Sequence, residues 1–274
     1  MKLLTLCADD FAQSPAISAG ILQLVAAGRL QAVSCLTESQ DWPAMAPRLK
    51  ALGSGHQTGL HFNLTHGFGP PPQGATLAKG RVDEVSPEGA HALAPLIVRA
   101  LFHQLDRAAV RRRFIQQWCA FEAHYGQPPA FVDGHQHVHA LPLIRRIVVE
   151  ETRQRNPAAW LRVPHSAGLT PKVLVMRALS GGFAACVRSA GLASNARFGG
   201  FRPFRADFDF ARFFRHLLTN LSGPTLVMCH PGLAADDPAD PIARCRQAEL
   251  DYFLSDQFAA DLAAADVRPA VGVG

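Results

Sequence analysis

The chain has 274 residues, 48% of them apolar and 18% charged, with a formal charge of +5 when its twelve His are neutral; that is enough for a sizeable core at a length typical of one α/β barrel domain. The basic excess is mild, and its densest run, Arg111-Arg112-Arg113, reads as a solvated helix face, which excludes nucleic-acid binding as the expected function. No stretch approaches the roughly 20 continuous apolar residues of a membrane span, which excludes an integral membrane protein.

Six Cys stand at positions 7, 35, 119, 186, 229 and 245, with no CxxC pair among them. They read as reduced thiols packed in a core, not as a disulfide framework or a zinc–thiolate site. The first residues, MKLLTLCADDFAQS, are too short an apolar run for a signal peptide, since two Asp end it within ten residues. Cytoplasmic residence is the expectation.

Taken in chain order, residues 3–7 predict a buried strand. Ser14 and Pro15 are an N-cap and a first-turn proline. Ile17, Ile21, Leu24 and Val25 then follow at helical spacing up to a stop at Gly28. Residues 32–36 predict a second strand, 42–52 a helix and 58–64 a third strand. The segment 67–80, with Pro70-Pro71-Pro72 at its centre, is a loop. Ser86-Pro87 opens helical sequence that runs to about His124. A strand at 130–133, a helix at 142–155 and a strand at 159–163 follow, and Thr170-Pro171 opens another helix. Residues 193–206 are irregular. Phe210, Phe213, Phe214, Leu217, Leu218 and Leu221 make an amphipathic helix whose stripe belongs to the core. A strand at 225–229 and a helix at 246–265 complete the chain. Strand–helix alternation without a linker or repeat predicts a parallel sheet and one domain over 1–274. A closed or nearly closed (β/α) barrel is the expected form, with an open doubly wound sheet as the alternative. No GxGxxG follows the first strand, which argues against a dinucleotide site.

In such folds the chemistry gathers at the carboxyl ends of the strands, and several polar clusters fall there. Asp9 and Asp10 leave the first strand together; one can bind a metal while the other stays free as a base. A glycosidase pair is disfavoured, because neighbours on an extended chain point to opposite faces. His61 ends the third strand before the Pro/Gly loop. Asp133-Gly134-His135-Gln136-His137-Val138-His139 follows the fourth strand. If that strand continued, Asp133 and all three His would share one face, the kind of cluster that transition metals bind. Spacing does not say which His ligates; the others can form an outer layer or touch substrate. His230 stands at the Pro-Gly exit of the 225–229 strand. Arg162 ends the 159–163 strand, where a cation can hold a carboxylate or an oxyanion; a surface arginine is the competing reading.

At these residues the sequence resembles the YdjC-like carbohydrate deacetylase family. The pieces that carry the resemblance are ADDF at 8–11, GLHFNLTHG at 59–67, DGHQHVHALP at 133–142, LRVP at 161–164 and MCHPG at 228–232. They stand in the family's order and nearly span the chain. One departure is Ala12, where the family usually has Gly. The resemblance implies a barrel-like α/β fold and hydrolysis of an N-acetyl group from an amino sugar with one divalent metal ion. It implies Asp10, His61 and His135 as metal ligands, Asp9 as catalytic base, His230 as acid, and Arg162 beside the base. The donor set suits zinc, with magnesium, manganese and cobalt open. An N-acetylated sugar is the expected partner, and a homodimer is admitted. Two rival readings are a two-metal phosphoesterase, with the His-rich loop serving both ions, and a metal- or sugar-binding protein without turnover.

Overall fold

The computed structural model describes residues 1–68, 92–164, 181–205, 207–237 and 240–273. Among the described residues the strands are β1 (Lys2–Phe11), β2 (Ala32–Cys35), β3 (Gln57–Phe62), β4 (Phe131–Gly134), β5 (Trp160–Leu161), β6 (Phe198–Gly199), β7 (Thr225–Cys229) and β8 (Val267–Pro269). The helices are α1 (Pro15–Ala26), α2 (Trp42–Lys50), α3 (Leu93–Leu101), α4 (Arg107–Tyr125), α5 (Ile144–Arg155), α6 (Phe183–Ser189), α7 (Phe210–Thr219), α8 (Ala243–Leu254) and α9 (Asp256–Ala264). The strand order is β5-β4-β3-β2-β1-β7-β6, with β8 also on β1, and every pairing is parallel. The sheet curls until its edges meet: Leu161 of β5 forms a parallel bridge with Ser194, just ahead of β6. The barrel-like form expected from strand–helix alternation is the form observed.

Strand alternation divides the core in two. Leu4, Leu6, Val33, Leu60, Phe62, Val132, Leu161 and Val227 face outward and pack with the helices. Cys7, Ala32, Phe131, Trp160, Phe198, Leu226 and Met228 face inward and pack on one another. Phe131 and Trp160 stack with centroids 4.3 Å apart. They fill the barrel below the carboxyl ends of the strands, so the polar residues above stand on an apolar floor. Gly59 is required there, because a Cβ would lie 2.5 Å from the Phe131 ring.

Local signals explain most element ends. Ser14 Oγ accepts from Ile17 N at 3.3 Å and caps α1. Phe210, Phe214, Leu218 and Leu221 are buried, so the α7 stripe is core as expected. Four differences from the sequence reading have physical causes. The helical stretch ending near His124 is two helices, because Asp106 caps a new start by accepting from Ala108 N and Ala109 N. The final helix is likewise split at Ser255, whose hydroxyl caps α9, and β8 follows it. The segment expected to be irregular at 193–206 carries β6, held by β7 on one side. The arginine triplet is only partly a solvated face: Arg112 is exposed, but Arg113 reaches Glu38 at 2.5 Å and Arg111 pairs with Glu150 and Glu151. The helix expected from Thr170-Pro171, residues 69–80 of the Pro/Gly loop and positions 86–91 lie outside the described residues.

Candidate active site

Asp9 continues the inward row of Thr5 and Cys7 on β1 and is buried. Strict alternation would send Asp10 outward to the helices. Instead the register of β1 against β2 shifts between Ala8 and Phe11, and Asp10 adopts φ 68°. This one-residue bulge turns Asp10 back toward the barrel mouth. Both adjacent carboxylates therefore reach the site, although neighbours on a regular strand point to opposite faces. Ala12, at the position of the family's usual Gly, also has φ 70°, a left-handed conformation that Gly adopts without strain. Ser18 Oγ accepts its N–H at 3.1 Å.

The ligand atoms of Asp10, His61 and His135 all lie within 4.8 Å of one another. Asp10 Oδ1 is 3.0 Å from His135 Nδ1 and 3.4 Å from His61 Nε2. On its far side, His61 Nδ1 is 2.6 Å from Asp133 Oδ1, and Ser34 Oγ donates to the same oxygen at 2.5 Å. That pairing fixes the ring and leaves Nε2 toward Asp10, the usual arrangement of a carboxylate behind a metal-binding imidazole. One carboxylate oxygen and two imidazole nitrogens are a donor set for a divalent transition ion, with further positions left for water and substrate. The residues present fit such an ion.

Burial opposes charge on Asp10, but Arg246 and His135 outweigh it and hold its carboxyl well below the usual range. Arg246 Nη2 donates to Asp10 Oδ2 at 2.9 Å, and Asp240 anchors the same guanidinium from behind. Burial likewise opposes a charge on His61, yet Asp133 and Asp10 push its pKa up to about 10. An ion bound there would displace that proton.

Arg162 is fully buried and does not behave as a surface arginine. It grips Asp9 with two hydrogen bonds, Nη1 to Oδ2 at 2.7 Å and Nη2 to Oδ1 at 2.6 Å. The same Nη2 is 2.6 Å from Asp133 Oδ2 and 3.0 Å from Cys7 Sγ. Cys7, Asp9 and Asp133 are a second group with metal-like spacing, and the Arg162 guanidinium is the cation that fills it. His230 stands across from Asp9, Nε2 to Oδ2 at 3.9 Å. Its backbone N–H donates to Glu249 Oε2 at 2.6 Å, and Glu249 is ion-paired with buried Arg202. Burial lowers the His230 pKa, against the pull of Asp10, Asp9 and Glu249.

The three His of the 133–139 segment do not share a face. The strand stops at Gly134, and residues His135–Ala140 form a 3₁₀ turn in which Gln136 and His137 have φ 52° and 61°. His135 turns to Asp10. His139 Nε2 is 2.8 Å from the Arg162 carbonyl, and its ring packs edge-on to Phe183. His137 lies between Phe198 and Phe201.

All six residues singled out in the sequence thus meet at one place. Asp9, Asp10, His61, His135 and His230 line a cavity of about 490 Å³, and Arg162 lies beneath it. Sequence reasoning missed Ser34, Arg246, Asp240 and Glu249. A signal for two of them existed: Arg246 and Glu249 fall on the same helical stripe as Leu250 and Phe253, so charge sits on the buried face of α8.

Fold and site together define a curled parallel α/β barrel with a carboxylate–diimidazole centre where its strands end. The chain belongs to the YdjC-like family, whose model, described as YdjC-like protein, matches residues 3–264. Among similar proteins, the human "Carbohydrate deacetylase" is 31% identical over 172 residues, covering 61% of this chain and 50% of that one. The Yersinia pestis "Chitooligosaccharide deacetylase" is 30% identical over 155 residues, 57% of each chain. The chain therefore spans about half the length of these relatives. An Enterococcus faecalis structure, whose name associates it with cellobiose-phosphate cleavage, superposes with TM-score 0.70 at 18% identity over 98% of this chain and 97% of that one. An uncharacterized Agrobacterium tumefaciens protein does so at 0.53, with 8% identity over 99% and 87%. At such identities the likeness is one of fold.

Proposed function

We propose that the protein is a metal-dependent carbohydrate N-deacetylase acting on an N-acetylated amino sugar or oligosaccharide. The observation that carries this reading is the meeting, in one cavity, of the Asp10–His61–His135 group with the facing pair Asp9 and His230. The deacetylase names of the two relatives support the substrate class.

A divalent ion held by Asp10, His61 and His135, zinc being the best suited, would polarise the acetyl carbonyl and acidify a water. Asp9 takes the proton of the attacking water. Its two oxygens are pinned by Arg162, so the base is aimed without being free to rotate. The 3.9 Å between Asp9 Oδ2 and His230 Nε2 is too long for a direct hydrogen bond, so both groups face the cavity and a reacting group beside the pair can meet each of them. His230 gives its proton to the departing amine, and Glu249 fixes its backbone for that task. Arg246 occupies the second oxygen of Asp10, so that residue offers one oxygen to the ion.

The two-metal alternative loses support on the same geometry. Neither His137 nor His139 joins the Asp10 group, His139 being held by the Arg162 carbonyl, and Arg162 fills the other acidic group. Six free cysteines suit a reducing compartment, in keeping with cytoplasmic residence. Acetate release from a panel of N-acetylated sugars, beside elemental analysis of the protein, tests the reading. Release with about one equivalent of metal supports it; no release from any sugar under zinc, magnesium, manganese or cobalt refutes it.

A further inference from the structure

Among the described residues, His137 is the imidazole of the 133–139 segment with neither ring nitrogen hydrogen-bonded; His139 also has a bare Nδ1, but its Nε2 is held by the Arg162 carbonyl. The His137 side chain is 9% exposed and lines the cavity beside His135. Nδ1 is sealed from solvent with no hydrogen-bond partner. No described residue bonds Nε2 either, so the polar edge left to the cavity is Nε2. With Nδ1 sealed and bare, the proton belongs on Nε2, which then presents a donor.

The ring is not free to turn away and find a partner. Phe198 and Phe201 stand edge-on to it, with centroids 5.7 and 5.4 Å distant, and those two rings also pack on each other at 5.4 Å. The backbone is committed as well. Gln136 and His137 are consecutive non-glycine residues in the left-handed region, a strain that persists only where the surroundings enforce it. A buried donor held rigidly in a cavity wall without a partner is the arrangement of a site that hydrogen-bonds its ligand.

We propose that His137 is a substrate-contacting residue, its Nε2 donating a hydrogen bond to an oxygen of the sugar that carries the reacting N-acetyl group. The inference rests on the deacetylase reading, and binding is therefore measured apart from turnover. In the metal-loaded full chain carrying Asp9→Asn, calorimetry gives the Kd of the disaccharide of N-acetylglucosamine and of its monodeoxy analogues, with and without His137→Ala. The expected result is at least tenfold weaker disaccharide binding with His137→Ala and partial recovery with His137→Gln. One monodeoxy analogue should bind equally with and without His137→Ala. Metal content and unfolding temperature should stay at the values of the Asp9→Asn protein. Equal disaccharide affinity in the two proteins, or loss of the metal on His137→Ala, overturns the proposal. His137-dependent binding without acetate release by the unaltered protein would uphold the contact and refute only the deacetylase reading. Absence of any disaccharide binding to the Asp9→Asn protein, with no acetate release, refutes both.

Discussion

Arg246 donates from Nη2 to Asp10 Oδ2 at 2.9 Å across 236 residues of sequence. The contact answers how two neighbouring carboxylates can both be buried at one strand end. Each has its own buried arginine: Arg246 for Asp10, and Arg162 for Asp9 with two hydrogen bonds. Uncompensated, either charge would be costly in such a place. The two guanidiniums also divide the work. Arg246 leaves Asp10 Oδ1 toward the imidazoles, and Arg162 pins Asp9.

The division of labour between the two aspartates can be read from metal content. Asp9→Asn should lower acetate release by about 10²–10⁴-fold, the usual range for a general base, with metal content unchanged. His230→Ala should do the same. Asp10→Ala should weaken metal affinity, and added metal should restore part of the rate. Elemental analysis beside acetate release checks all three; an Asp9→Asn enzyme with full metal and a near-normal rate would contradict the assignment.

Arg162 should matter for folding as well as for rate. Its removal leaves buried Asp9 without its arginine and buried Asp133 with His61 as its remaining cationic partner. Arg162→Met should cost about 3–5 kcal/mol, the range for stripping one partner from a buried pair. Chemical denaturation of the metal-free protein measures it; a change within about 0.5 kcal/mol would show that the pairing does not carry stability.

Gly59 tests the floor of the barrel. A methyl there meets the Phe131 ring at 2.5 Å, and that ring is stacked on Trp160. Gly59→Ala should destabilise by about 1–3 kcal/mol, as overpacked cores do. Adding Phe131→Leu should recover part of the loss in the double variant. Additive losses would mean that the clash lies elsewhere.

His139 gives a pH dependence with a defined sign. Burial depresses its pKa to about 4, against Asp133 and the Arg162 carbonyl, which pull the other way. A depressed His is neutral in the folded chain while the unfolded chain, titrating near its ordinary 6.5, gains a proton. Its contribution is therefore fully present above pH 6.5 and is lost as pH falls toward 4, by at most about 3 kcal/mol. His139→Gln, which can still donate to the Arg162 carbonyl, should flatten the fall in unfolding temperature over that window. An unchanged slope would assign the acid limb to other groups.

The parallel alternating architecture, and the strand ends where chemistry would collect, were legible in the pattern of apolar runs. Residues 3–7, 32–36 and 225–229 are short apolar runs that can satisfy their backbone only in a covered sheet, and β1, β2 and β7 lie there. Polar residues at the exits of such runs, Asp9, His61, Arg162 and His230, were visible because a polar group there stands out against the apolar run before it. Side-chain direction was set by packing between distant segments. A one-residue bulge with φ 68° at Asp10 turns that side chain inward. Two left-handed residues send the three His of one segment to three different partners. Backbone torsions of this kind are enforced by contacts made elsewhere, so local pattern does not carry them. Arg246 and Glu249 share the stripe of Leu250 and Phe253 on α8, which marks them for burial but does not name their partners. They become the supports of Asp10 and His230 only because α8 packs them against the barrel mouth, where burial makes a paired charge necessary.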